Sequence, residues 1–158
     1  MRIYLKAVVS IVVVSLFLCS CSNIKRKPPV ITDGFSCTVY AEYEDYSTEF
    51  KLKKEGVNVE LSYLSPDEID GLTVNISPAG NLLSFSGLSY NIDDEQISSS
   101  LAGCIIGALN YDYTTAEYNG SEYACSLDGN EFEVTLFSDG RISTINFFKL
   151  NCLCYFNY

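Results

Sequence analysis

Cys152 and Cys154 stand one residue apart in "CLCYF", and on a β-strand that spacing projects both thiols to one face. The spacing is not the C-x-x-C of a redox or zinc motif. With Cys37, Cys104 and Cys125 they make five cysteines beyond residue 21. Five is odd, so at least one stays free or pairs between chains. Most read as small, buried, apolar side chains. One bridge, from Cys37 to Cys125 or to a C-terminal cysteine, is the alternative. The chain has no histidine, which removes Ser-His and Cys-His nucleophile pairs and imidazole metal ligands. No S-x-x-K precedes a lysine from residue 35 onward. Glu131 and Glu133 share a strand face, but among so many acids that pairing is expected of a solvated surface. Asp93-Asp94-Glu95 lacks the D-x-D-x-D-G spacing of a calcium loop and reads as the charged start of a helix. No catalytic constellation emerges, and neither an enzyme nor a cofactor or metal site is expected.

The N-terminus carries a different chemistry. Arg2 and Lys6 precede an uncharged apolar run of 12 residues, 7–18, well short of the ~20 that a transmembrane helix needs. A positive start, a short apolar stretch and small residues after it describe an export signal; a buried strand through "IVVV" is the alternative. The following "LCSC" resembles the lipobox of bacterial lipoproteins, with Leu18 at the third place before Cys21. That resemblance implies cleavage between Ser20 and Cys21 and a diacylglyceryl group on the Cys21 sulfur. Cys19 departs from the commoner alanine or serine, and Leu18 before it is too large for Cys19 to be the lipidated residue. Residues 1–20 are thus a lipoprotein signal peptide. Residues 21–34 form the lipid anchor and a flexible basic tether with Lys25, Arg26 and Lys27, stiffened by Pro28 and Pro29. The expected location is the extracytoplasmic face of the cell membrane.

From residue 35 to 158 there is room for one domain. It holds five basic and 19 acidic side chains, a net charge of −14, which repels phosphate backbones and excludes nucleic-acid binding. Alternating runs in "SCTVYAEYED", "STEFKLKKEG" and "VNVELSY" predict an antiparallel meander turning at Lys54-Glu55-Gly56. "SPDEIDGL" predicts one helical turn with Ser65 as N-cap and Pro66 first in the helix. "LTVNIS" and "LLSFSGLSYNI" resume strands, separated by residues 78–81. "DDEQISSSLAGCIIGALN" predicts one helix, with an apolar stripe of Ile97, Leu101, Cys104, Ile105, Ala108 and Leu109. Gly103 and Gly107 would let it lie close to a sheet. "SEYACSL", "EFEVTLF" and "RISTINFFKL" return to strands, with hairpin signals at "DGN" and "SDG"; "CLCYF" extends or follows the last of them.

These elements predict an α+β domain, a curved antiparallel sheet embracing one main helix. "SPDEIDGLTVNIS", then "LLSFSGLSYNI", a helix and a terminal meander, resembles small lipoproteins with the fold of the periplasmic lipoprotein carrier (LolA-like). The resemblance is one of pattern over residues 35–156 and implies an unclosed barrel lidded by helices over an apolar cavity. It points to a non-catalytic, membrane-anchored protein that binds an apolar ligand such as a lipid. The alternative is an acidic, tyrosine-rich module binding an envelope protein or wall glycan, through Tyr40, Tyr43 and Tyr46 or through Tyr111, Tyr113, Tyr118 and Tyr123.

Overall fold

A computed structural model describes residues 27–158. Eleven strands form one antiparallel sheet. The first six, β1 (Gly34–Tyr43), β2 (Ser47–Glu55), β3 (Asn58–Ser65), β4 (Thr73–Ser77), β5 (Gly80–Phe85) and β6 (Leu88–Ile92), run as a meander. Two helices follow, α1 (Asp94–Ser98) and α2 (Leu101–Leu109). A second meander holds β7 (Glu117–Tyr118), β8 (Glu122–Leu127), β9 (Asn130–Leu136), β10 (Ile142–Phe147) and β11 (Cys152–Asn157). The meanders join where β1 pairs with β11, and β6 and β7 are left as free edges. The barrel is therefore unclosed, and the helices connect one free edge to the other.

Alternation fixes which face is inner. Val39 lies opposite Phe50 on one side and Phe156 on the other, and all three are buried. Ile145 similarly lies between Val134 and Cys154, again all buried. Each such side chain contributes about 1.5–3 kcal/mol on burial. Ile97, Leu101, Ile105, Ala108 and Leu109 cover this face from the helices and complete one core. Lys54 continues the inward parity at the end of β2. It is buried, and its ammonium donates to the Gly56 carbonyl, so its stem serves as apolar surface.

Several expectations change in detail. The single helix is broken at Ser99 and Ser100. Asp93 caps α1 by accepting from the Gln96 N–H at 2.7 Å, while Ser100 caps α2 by accepting from the Gly103 N–H at 3.2 Å. Serine hydroxyls compete for backbone groups, so a serine run offers a cap where the apolar stripe alone shows continuity. Ser65 is not a helix cap. Its hydroxyl accepts from the Glu49 N–H at 3.1 Å beside a bulge in β2, and Asp67–Ile69 form a single 3-10 turn after Pro66. The hairpin between β2 and β3 turns at Gly56 and Val57, with Lys54 and Glu55 still in β2. The run "LLSFSGLSYNI" folds back on itself at Ser86 and Gly87, whose φ values of 51° and 81° are left-handed. That pair of angles suits a tight hairpin turn, as at Asp128-Gly129. Among the described residues Cys37, Cys104, Cys152 and Cys154 are free thiols, so the Cys37 bridge is absent. The "CLCYF" segment is a strand of its own, separated from β10 by a 3-10 turn, Phe148–Leu150.

Candidate functional site

A groove of about 470 Å³ lies between the helices and the inner face of the sheet. Its apolar wall includes Ile76 of β4 and Phe132 of β9. Those strands are six steps apart in the sheet order, roughly 29 Å across a flat sheet at ~4.8 Å per step. Meeting in one groove requires the sheet to curl. Ile97 and Ile106 supply the helical wall, and Phe147 packs on Phe132 with ring centroids 5.8 Å apart. Polar groups gather at the mouth, where Asp94, Asp128 and Lys149 are found. The Asp94 carboxylate accepts from the Asn81 amide at 2.9 Å, tying α1 to β5.

Two glycines shape the groove. A Cβ on Gly103 would stand 2.0 Å from the Ile97 carbonyl oxygen, so α2 begins directly against the last turn of α1. A Cβ on Gly107 would meet only the Leu127 Cδ2, at 2.8 Å. Of the two, only Gly107 brings helix and sheet together; Gly103 serves the elbow between helices. Both residues line the groove.

The other sequence candidates fall elsewhere. Cys152 and Cys154 do share a face, with sulfurs 3.8 Å apart and both side chains buried. Hydrogen bonding to Cys152, together with burial, holds the Cys154 thiol protonated well above its ordinary range. The same bond lowers the Cys152 thiol, but both side chains are buried, and a reactive cysteine needs access as well as thiolate character, so the pair packs as core. Glu131 and Glu133 alternate with buried Phe132 and Val134 and face outward. Asp93 and Gln96 form a reciprocal capping box, which uses the acidic run to start α1. Tyr113 donates to the Ala108 carbonyl at 2.8 Å, and both it and Tyr123 are core residues. Tyr46 is exposed and stacks on Tyr43 at 4.2 Å, while Tyr111 and Tyr118 pack their rings on Tyr113 and Tyr123, so the two sets form separate clusters. Cys21 lies outside the described residues. The groove itself had no sequence signature beyond the two glycines.

Residues just before β1 are held to the domain. The Val30 N–H donates to the Gly140 carbonyl at 2.8 Å, and the Tyr123 hydroxyl donates to the Lys27 carbonyl. The Asp33 carbonyl accepts from the Gly56 N–H.

No protein-family model and no curated protein matches this chain. Among solved structures it is similar to a LolA superfamily protein, NE2245 from Nitrosomonas europaea, at a TM-score of 0.46 and 10% identity. The similarity covers 82% of this chain and 85% of that one.

Proposed function

We propose that this chain is an extracytoplasmic lipoprotein, anchored through Cys21, that holds an apolar ligand such as an acyl chain without transforming it. The groove between the helices and the curled sheet carries the reading. Its volume of about 470 Å³ lies within the ~300–1,000 Å³ of small-molecule sites. It joins an apolar interior to a few polar groups at the mouth, the arrangement that suits a ligand with an apolar body and a polar end. The anchor follows from the lipobox-like "LCSC" and the preceding short apolar run.

Native mass spectrometry of the full chain, purified from bacterial membranes and compared with its denatured form, tests both parts. We expect one apolar molecule per chain, released on denaturation, and a covalent diacylglyceryl mass on Cys21. A chain that arrives empty and ignores added fatty acids and phospholipids overturns the ligand reading and favours the acidic interaction module. An unmodified Cys21 overturns the anchor.

A further inference from the structure

We propose that the end of the domain where residues 27–33 dock is a membrane-facing surface, built to rest on anionic phospholipid headgroups. The surface is contiguous. Val30 hydrogen-bonds Gly140 through the backbone, and its side chain lies within 3.0 Å of where a Gly140 Cβ would stand. Phe137 meets Tyr158 edge-on at 6.4 Å, and the Arg141 guanidinium sits over the Tyr158 ring at 4.4 Å. Val30, Phe137 and Tyr158 are 52%, 42% and 39% exposed, an apolar cluster left in water.

Charge is segregated in the same direction. Of the five cations beyond residue 35, Lys51, Lys53 and Lys54 pair with Thr38, Ser36 and Phe35 at the start of β1, and Arg141 lies beside Tyr158. Only Lys149 lies elsewhere, at the groove mouth. The acids at this end include Asp139 and Glu55, which pair with Arg141 at 2.8 Å and Lys53 at 2.9 Å, and also Asp33, Glu60 and Glu122, opposite Thr135 near Phe137, so the described side chains here are close to charge balance. At the opposite ends of the same strands lie Glu42, Glu44, Asp45 and Glu49, with Asp67, Glu68 and Asp70 in the adjoining loop. An anionic bilayer repels the second end, while at the first the tether cations Lys25, Arg26 and Lys27 tip a near-balanced set of charges toward attraction.

Chain continuity names the partner. Lys27 is exposed on this face, Lys25 and Arg26 directly precede it, and Cys21 stands six residues before it. At ~3.3–3.6 Å per extended residue that is at most about 22 Å. The proposal rests on the anchored reading in this respect alone.

The chain contains no tryptophan, so Phe137→Trp and Tyr46→Trp each introduce a single reporter, at the docked end and at the β1–β2 turn. The full chain would be placed in phosphatidylcholine vesicles with or without phosphatidylglycerol, each carrying brominated lipid. Expected is strong quenching of the Phe137→Trp variant, greater with phosphatidylglycerol and reduced by Arg141→Gln, and little quenching of Tyr46→Trp. Equal quenching of the two reporters, or none, in a chain whose mass shows acylated Cys21 overturns the surface and leaves the anchor standing. If the mass shows no acyl group, the anchor fails. The surface then survives only if vesicles added to the unacylated chain still quench Phe137→Trp selectively.

Discussion

Cys37 illustrates how burial turns a reactive group into a structural one. It is buried beside Leu52, and desolvation pushes its thiol up to about 12 from an ordinary 9.0. Unfolded chains release a thiol proton near ~8.5, and the native state keeps it. Below that value both states are protonated and the contribution to stability is complete. As pH rises from about 9 to 12 the unfolded state alone ionises, so stability falls by roughly 1.4 kcal/mol per pH unit for this group. Tyr63 and Tyr113 are shifted upward by burial and act in the same direction. Urea unfolding under reducing conditions between pH 8 and 12 should show this decline. Cys37→Ala should flatten it by about one proton's worth, and an unchanged slope would contradict the assignment.

At the scale of elements, the two helical glycines are separable by experiment. Gly103→Ala places a methyl against backbone of α1, which cannot yield without opening the elbow. Overpacking of this kind costs about 1–3 kcal/mol or more, exceeding the ~0.8–1.0 kcal/mol that alanine gains in helix propensity. Gly107→Ala meets the end of a leucine side chain, so its propensity gain should roughly cancel the repacking cost. Chemical denaturation should therefore show Gly103→Ala clearly destabilised and Gly107→Ala near neutral, and under the proposed function the latter should bind less apolar ligand because Gly107 lines the groove. The same elements show what sequence could reveal. Strands and hairpins were legible because inner residues such as Val39, Phe50 and Leu61 alternate and turns carry Gly at left-handed positions. The break between α1 and α2 was hidden because the apolar stripe continues across it; Ser100 beside Gly103 was the overlooked signal. The groove was not legible, since Ile76 and Phe132 meet only through the curl of the whole sheet.

For the molecule as a whole, the pairing of β1 with β11 is the seam between two meanders. Phe156 is buried in it, opposite Val39. Phe156→Ala should cost about 3–5 kcal/mol, as truncation of a core aromatic does, and equilibrium unfolding should remain one transition because a single core spans both halves. Two separated transitions would show that each meander holds itself together. The seam also sets an order in time. In a chain emerging N-terminus first, β1 to β6 can zip locally, but the partner that β1 needs is the last strand to arrive. Until β11 docks, β1 is an open edge and the incomplete sheet can neither curl shut nor form its groove. Completion of the chain and completion of the groove are thereby coupled: a chain whose last strand has not yet emerged has, by topology, an unfinished groove.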